Sequence, residues 1–366
     1  MQTLLHRPLI QDLCATLGHD QVRLVGGCVR DGLAGIEIKD LDACTPLVPQ
    51  IVMDRLSHTG LFSLYPTGLS HGTVTARHQG GESIEITTLR EDHKTDGRHA
   101  HVCFTNSWVR DAARRDFTLN ALMLDAKGRL YDFFGGHDDL KAGRIRFIGD
   151  PRQRLAEDWL RGLRYFRFWG QFGKYDPTHQ ERQALQEAGK HLKSLSGERI
   201  WAELKKLVQL PHARRVLALF IDLGFADALG LQMHDANIEG LDPVAAWAGL
   251  LGPENDDFLL NLRASKKEQA HFRAVRQALC ASTTRFARQV RYGHHATQAA
   301  EALHGRTSDF SPPPEFPVTA GDLLKRGYAP GPNLGQDLAK LKERWIAAQG
   351  QISAGDLLAD LKPGAL

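Results

Sequence analysis

The sequence predicts an α+β fold in which an N-terminal part that mixes strands and helices is followed by a wholly helical remainder. Short apolar or alternating runs bounded by glycine and proline, such as 22–25 and 83–89, indicate strands in the first part of the chain. From about Glu181 onward no strand pattern is evident, and helical patterns follow one another. With 366 residues the chain is long enough for two or three domains, each with its own core.

The composition is ordinary for a globular protein. Hydrophobic residues make up 42% of the chain and charged residues 24%, and no apolar run approaches the roughly twenty residues that a membrane-spanning helix needs. The first residues lack the features of a secretion signal. The five cysteines form no Cys-x-x-Cys pair, which argues against a disulfide framework or zinc site and predicts a reducing compartment, the cytoplasm. A net charge of +3 permits an RNA partner without requiring one.

The stretch from 22 to 45 carries the first candidate site. The strand 22–25 is followed by Gly26 and Gly27, whose missing Cβ atoms allow the backbone to approach a bulky group such as a phosphate. A short helix is predicted over 29–34, and Arg30 adds positive charge where backbone N–H groups favour an anion. The sequence therefore predicts a phosphate-binding turn, although Gly-Gly by itself is more often a simple turn.

Asp40 and Asp42 are expected on the strand that follows. Side chains two residues apart on a strand share a face, so these carboxylates converge, and such a pair is unstable unless a hard divalent cation lies between them. The sequence therefore predicts a Mg²⁺ site held by Asp40 and Asp42. Glu85 lies on the polar face of the strand 83–89, where it is predicted to join them as a third carboxylate. The alternative for each acid is a solvated strand residue.

The order of these features resembles a known family. A strand, Gly-Gly, Arg-Asp and then Asp-x-Asp within about twenty-five residues is similar to the nucleotidyltransferases of the DNA polymerase β superfamily, in the branch that contains the tRNA CCA-adding enzymes and bacterial poly(A) polymerases. The resemblance implies a polymerase-β-like nucleotidyltransferase head, followed by an all-α neck, body and tail. It spans roughly residues 20 to 210 and more weakly the tail.

The octet 114–121, Arg-Arg-Asp-Phe-Thr-Leu-Asn-Ala, resembles the second motif of that family. The resemblance implies that Arg115 and Asp116 bind nucleotide phosphate and ribose, with Asn120 in the same site. The alternative is a capped, solvated helix start. A helix is expected over 112–123, and the segment 132–140 resembles the third motif, which is expected to close the sheet domain onto the neck.

A long helix is expected from Arg152 to Trp169, with one apolar face and one charged face. Asp158 and Arg161, three residues apart, would ordinarily form a local salt bridge. Beside a nucleotide they offer an acceptor and a forked donor for the edge of a cytosine or adenine. The run 157–161, Glu-Asp-Trp-Leu-Arg, resembles the family's amino-acid template for base choice. Arg164 and Arg167 match further arginines of the family and would support the template or the phosphates.

Three further segments are interpreted from the same resemblance. The polar run 90–101 is expected to be a loop, which in the family helps to switch nucleotide choice from C to A. The helix starting at 196–200 resembles the family's neck motif. A basic helix with Lys340, Lys342 and Arg344 suits a tail that grips an RNA backbone, although a charged face is usually only a solvated one.

The resemblance implies template-independent addition of C, C and A to the 3′ end of tRNA from CTP and ATP, with release of pyrophosphate. The alternatives are A-only or CC-only addition, poly(A) synthesis and, in another class, a non-catalytic RNA-binding protein. No membrane and no obligate protein partner are expected. The predicted domains are a catalytic head (1–145), a neck with the base-selecting helix (146–210), a helical body (211–310) and an RNA-binding tail (311–366).

Overall fold

The computed structural model describes residues 2–93, 101–306, 308–359 and 361. It divides into two compact units, the first formed by Met1–Leu192 with Ala218–Phe225 and the second by Lys193–Leu217 with Ala226–Leu366. The first unit contains every strand of the described residues, and the second is helical. The α+β fold class is therefore confirmed.

Seven strands form one mixed sheet in the order β3-β4-β5-β2-β1-β8-β9, in which β2 and β5 are parallel and the other pairs antiparallel. Two more strands pair separately. The strands are β1 (Arg23–Val25), β2 (Asp42–Thr45), β3 (Phe62–Gly68), β4 (Thr73–His78), β5 (Ser83–Thr88), β6 (Arg90–His93), β7 (His101–Phe104), β8 (Met123–Asp125) and β9 (Leu130–Tyr131).

The helices that accompany and follow the sheet are mostly short. In chain order they are α1 (Gln2–Leu5), α2 (Pro8–Leu17), α3 (Gly27–Leu33), α4 (Pro49–Ser57), α5 (Trp108–Ala113), α6 (Gly136–Ala142), α7 (Pro151–Glu157), α8 (Leu160–Phe172), α9 (His179–Lys190), α10 (Gly197–Leu207), α11 (Ala213–Asp222), α12 (Phe225–Ala228), α13 (Pro243–Leu250), α14 (Phe258–Asn261), α15 (Lys266–Cys280), α16 (Arg285–Tyr292), α17 (His294–Leu303), α18 (Ala320–Leu324), α19 (Pro332–Ala347) and α20 (Ala354–Ala359). None of the helices in the described part of the chain is long and apolar enough to cross a bilayer.

Strand β1 in the middle of the sheet is covered on both faces, whereas β5 alternates exposed and buried side chains. On β1, Leu24 belongs to a core with Ile84, Ile86 and the apolar stripe of α2. Its neighbour Val25 points the other way, into a second core. Strand β1 therefore lies between two apolar layers, which fix the strand end from which the glycine turn emerges.

The expected helix over 112–123 is wrong. Helix α5 ends at Ala113, and the chain continues through a turn and bends at 114–116 to a single 3₁₀ turn at Thr118–Asn120. The backbone here pairs with a neighbouring segment instead of with itself, because Thr118 N donates to Arg146 O at 3.0 Å and Ile148 N donates to Asp116 O at 3.1 Å. Helical periodicity in the sequence is overridden by this tertiary pairing.

The expected continuous helix from Arg152 to Trp169 is also wrong, because it breaks into α7 and α8. Asp158 is extended, with φ −155° and ψ 104°, and its Oδ1 accepts a hydrogen bond from Leu160 N at 3.1 Å. An aspartate side chain that binds the backbone N–H two residues further on competes with helix continuation. The predicted base-selecting pair thus spans a junction between two helices.

Two smaller expectations are corrected as well. The segment expected to be a loop at 90–101 contains strands β6 and β7 of an antiparallel ribbon, continued from Leu89, whose O accepts a bond from Thr105 N at 2.9 Å. Residues 94–100 lie outside the described residues. Asp40 is not on a strand, since β2 begins at Asp42.

Candidate active site

A cleft of about 650 Å³ in the first unit gathers the predicted site residues. It lies where β1 turns into α3, where β2 begins, after α5 and along α8. Every predicted residue except Glu85 lines it: Gly26, Gly27, Arg30, Asp40, Asp42, Arg115, Asp116, Asn120, Asp158, Arg161, Arg164 and Arg167. Residues more than 140 positions apart in the sequence are therefore brought to one place.

The glycine turn forms one wall of the cleft. Gly26 has φ +71°, a conformation that favours glycine, and it precedes the first turn of α3. A Cβ atom built on Gly26 would lie 3.5 Å from Nη1 of Arg115. The glycine backbone and the guanidinium of Arg115 therefore border the same part of the cleft.

Arg30 is fixed in the cleft by a buried contact network. Its Nη1 donates to Oδ1 of Asn120 at 2.6 Å, and its Nε and Nη2 donate to the carboxylate of Asp31 at 2.8 and 2.9 Å. The guanidinium also lies 4.9 Å from the centre of the Phe168 ring and 5.1 Å from that of Phe172. Arg30 is therefore held in a single orientation before any ligand binds.

Asp116 continues this network to α8. Its Oδ1 accepts from Asn120 Nδ2 at 2.9 Å and from Phe117 N at 2.9 Å, while its Oδ2 accepts from Arg164 Nε at 2.7 Å. Burial by itself would raise the pKa of this carboxyl, but the charge of Arg164 and the three donated bonds hold the pKa below its usual range. Asp116 therefore stays ionised and joins its own segment, 116–120, to α8, while Asn120 joins that segment to Arg30 on α3.

Asp111 is a site residue that the motif analysis missed. Its side chain is 1% exposed, and its two oxygens accept from Arg114 Nε at 2.8 Å and from Arg115 Nη2 at 3.0 Å. Burial would raise its pKa, but Arg115 and Arg114 hold that pKa below its usual range. The spacing of Asp111 to both arginines, three and four residues along a helix, was the available signal.

Arg115 keeps binding capacity for a ligand. Burial disfavours its charge, yet Asp111 outweighs that effect and raises the pKa of the guanidinium, so it is always charged. Its Nε is buried and has no hydrogen-bond partner among the described residues. A buried donor without an acceptor is costly, which makes this nitrogen a natural contact for an anionic ligand.

The three predicted acids are only partly brought together. Asp42 on β2 is directly opposite Glu85 on the parallel neighbour β5. Burial raises the pKa of Asp42, and the negative charges of Glu85 and Asp40 raise it further, against the lowering effects of Arg115 and Arg30. Glu85 is exposed and does not line the cleft. Among the described residues, no group of three or more histidine, cysteine, aspartate or glutamate side chains is close enough to hold a metal ion.

The donor chemistry at Asp40 and Asp42 nonetheless suits a divalent cation. Carboxylate oxygens are the ligands preferred by Mg²⁺. Burial first, and then the charges of Glu85 and Asp40, raise the pKa of Asp42, and a cation beside its carboxylate would favour the ionised form. The two aspartates therefore fit such an ion, while the part played by Glu85 stays a prediction.

The pair that the sequence predicts to select the base, Asp158 and Arg161, also lines the cleft. Nη1 of Arg161 donates to Glu157 Oε2 at 2.7 Å and to Arg154 O at 2.9 Å, and its Nη2 donates to Arg114 O at 3.2 Å. Within the described part of the chain, its Nε–H and one N–H of Nη2 remain for a ligand. Arg167 lies over the ring of Phe168, 4.4 Å from its centre.

Comparison with known proteins decides the family. Residues 22–146 match the model of the "Poly A polymerase head domain" and residues 176–236 match "Probable RNA and SrmB- binding site of polymerase A". The mitochondrial CCA tRNA nucleotidyltransferase 1 of Mus musculus is 35% identical over 391 residues, which cover 96% of this chain and 89% of that one. The chain belongs to the CCA tRNA nucleotidyltransferase family.

Other relatives agree with that assignment. The CCA-adding enzyme of Oceanobacillus iheyensis is 42% identical over 209 residues, covering 56% of this chain and 50% of that enzyme. Among solved structures, the Bacillus stearothermophilus CCA-adding enzyme in complex with CTP superimposes with a TM-score of 0.76 at 24% identity and 94% coverage of both chains. The Thermotoga maritima CCA-adding enzyme complexed with tRNA gives a TM-score of 0.62 at 20% identity, covering 98% and 97%.

Membership of the CCA tRNA nucleotidyltransferase family confirms the predicted resemblance and the enzyme class. The structural neighbours confirm the fold, a polymerase-type head followed by helices. Nucleotidyltransferases of this family generally use divalent metal ions. The structure gives the positions of the individual site residues. Their roles in catalysis and binding remain predictions.

Proposed function

We propose that this chain adds C, C and A in turn to the 3′ end of tRNA, using CTP and ATP and releasing pyrophosphate. The observation that carries the proposal is the cleft in which Arg30, Asn120, Asp116 and Arg164 form one hydrogen-bonded network beside Asp40 and Asp42. Cationic donors next to paired acids suit the transfer of a nucleotide from a triphosphate. A relative that is similar over 96% of the chain and named for the same reaction supports it.

Asp40 and Asp42, with Glu85 beside them, would hold Mg²⁺. When bound, the metal supplies positive charge that favours ionisation of the RNA 3′-hydroxyl and stabilises the departing pyrophosphate. In the reaction, the 3′-hydroxyl gives up its proton to solvent and its oxygen forms a bond to the α-phosphorus, while the bond from that phosphorus to the bridging oxygen breaks and pyrophosphate leaves with the electron pair of that bond.

The chain's own cations position the triphosphate. Gly26 and Gly27 leave room for it at the turn, where Arg30 and Arg115 line the same cleft and Nη1 of Arg115 lies nearest to Gly26. Because Arg30 is already locked by Asn120 and Asp31, it loses little conformational freedom when the phosphate binds. Asp116, fixed by Asn120 and Arg164, would hold the sugar.

Asp158 and Arg161 would select the base. Glu157 and two backbone carbonyls hold the guanidinium of Arg161 and leave two of its N–H groups for the edge of a cytosine or adenine. Asp158, at the helix junction, would act as the acceptor. Arg164 and Arg167 on the same helix would support this template or the phosphates.

We also propose how the chain divides its work and where it acts. Residues 1–145 would catalyse transfer, 146–210 would select the base, 211–310 would form the body and 311–366 would hold tRNA, with Lys340, Lys342 and Arg344 exposed on α19. The compartment proposed is the cytoplasm, consistent with five free cysteines.

The test uses a tRNA transcript that lacks its last three nucleotides. It is incubated with the enzyme, Mg²⁺ and CTP, ATP or both, and product length is read on a denaturing gel. We expect two added nucleotides with CTP alone and three with both. Addition of A only to a CC-ended transcript, a CC-only product or a long A tract would each replace the proposed reaction. If no nucleotide is added under any condition, the remaining alternative is a non-catalytic RNA-binding protein.

A further inference from the structure

A cluster of arginines in the second unit surrounds one buried acid. Glu301 on α17 is 1% exposed and pairs with Arg288 on α16. Arg285 and Arg306 also converge on it, with guanidinium nitrogens 3.9 and 3.8 Å from its Oε2. Three positive charges therefore meet one negative charge. A buried carboxylate needs one cation for compensation, so two charges are left over.

The two extra arginines remain accessible. The side chains of Arg285 and Arg306 are 46% and 58% exposed, and their distances to Glu301 exceed hydrogen-bond length, so their donors are available to another acceptor. Arg288 gives a second, independent indication of a ligand, because its buried Nε has no hydrogen-bond partner within the described residues. Asp309 is an exposed acid three residues after Arg306 in the sequence. It forms no ion pair with these arginines in the part of the chain that the structure describes.

Hydrogen bonds hold the segment after α17 beside this arginine cluster. Gln298 Nε2 donates to Ser308 O at 3.1 Å and Gln289 Nε2 donates to Ser311 O at 2.9 Å, which folds the segment after α17 back against the helix pair. This brings Phe310 under Arg285, whose guanidinium lies 4.6 Å from the ring centre. His294 contacts the same ring edge-on, with centroids 5.5 Å apart.

The same device occurs in the catalytic cleft. There the buried Asp111 holds Arg114 and Arg115, and the Nε of Arg115 is likewise buried without a partner. In both places one buried acid gathers several arginines, by hydrogen bonds at Asp111 and at distances of 3.9 and 3.8 Å for Arg285 and Arg306 around Glu301. Such an excess of guanidinium groups beside aromatic rings suits phosphate oxygens and bases of an RNA strand.

We infer that Arg285 and Arg306, oriented by the buried Glu301–Arg288 pair, form a binding site for the RNA sugar-phosphate backbone, with Phe310 as a flanking stacking surface. This inference rests on the proposed function, because the RNA that binds here is taken to be the tRNA substrate of that reaction. The site lies ahead of the tail, to which the sequence assigned RNA binding.

The test measures tRNA affinity of Arg285→Gln, Arg306→Gln and the double variant at several salt concentrations. Each single change should weaken binding roughly 3- to 10-fold at low salt and reduce the slope of log affinity against log salt by about 1, because one phosphate contact is lost. The KM for tRNA should rise by the same factor, while the KM values for CTP and ATP stay unchanged. Arg291→Gln is the matched control, since Arg291 lies on the same helix but pairs with Glu343.

Unchanged affinity and slope in both single variants would overturn the inference. Thermal unfolding is measured alongside, and if the double variant is destabilised, Arg306→Gln decides, because that side chain is the more exposed. Failure of the proposed function would be recognised separately. If the parent enzyme extends no tRNA, the proposed function is refuted. If the parent extends tRNA and the variants bind tRNA as tightly as the parent does, only this binding site is refuted.

Discussion

Asp116 accepts hydrogen bonds from its own segment and from Arg164 on α8, so Asp116→Asn tests the geometry of the cleft directly. The amide keeps the size of the side chain and one acceptor oxygen, but it removes the charge opposite Arg164, whose Nη2 lies 2.6 Å from Oδ2. Removing one partner of a buried ion pair costs about 3–5 kcal/mol. Since the Arg164 side chain is 30% exposed, water shields the remaining cation, and we expect a loss of about 2 kcal/mol.

The pH dependence of that loss follows from the direction of the pKa shift. The folded-state pKa of Asp116 lies below its unfolded value, so its contribution to stability is fully present above an unfolded pKa of about 3.9 and is lost as pH falls through the folded pKa. Asparagine does not titrate. The difference in free energy of unfolding between the parent and Asp116→Asn should therefore be full near neutral pH and shrink below about pH 4.

The assay is urea unfolding followed by tryptophan fluorescence at pH 7 and at steps down to pH 3. The control is Asp222→Asn, because Asp222 forms an exposed ion pair with Arg182 in the same unit and its side chain is 57% exposed; it should change stability by roughly 0.5 kcal/mol or less. A parent-to-Asp116→Asn difference no larger than that of the control, or one that stays constant to pH 3, would refute the reasoning.

Three further substitutions test other parts of the site. Asp42→Asn should abolish nucleotide addition in a gel assay yet leave the melting temperature equal or higher, because the amide removes repulsion from two neighbouring acids; a lowered melting temperature would contradict this. Asp111→Asn should raise the KM for both nucleotides about 10-fold by releasing Arg115, a change of about 1.4 kcal/mol, and steady-state kinetics with an unchanged KM would refute that link. Arg161→Ala should reduce discrimination between CTP and UTP in competition assays, while Glu157→Gln, which loosens only the support, should have a smaller effect.

Much of the site could be predicted because its residues lie in short motifs whose spacing is informative by itself. Gly26 and Gly27 after a strand, and Arg115 with Asp116 in one octet, are local patterns that survive whatever the rest of the chain does. The structure brings them together in one cleft, as their chemistry predicted.

What could not be predicted depends on long-range pairing. The segment around Asp116 is not a helix because it bonds to residues 146–148, and no periodicity in the sequence reveals that partner. The break at Asp158 was missed because the apolar arc of the flanking helices continues across it. Asp111 was missed because a buried acid inside an apolar helix face carries no motif of its own, although its spacing to Arg114 and Arg115 was visible.

The central claim is that the acids at the start of β2 and the cationic network beside them transfer nucleotides to RNA. The most direct measurement is the single-turnover rate of radiolabelled CMP incorporation into a tRNA transcript lacking its end, compared between the parent and Asp42→Asn at saturating Mg²⁺. The account predicts rapid incorporation by the parent and a loss of at least 1,000-fold, about 4 kcal/mol, in the variant. Incorporation by Asp42→Asn at the parent rate would contradict it.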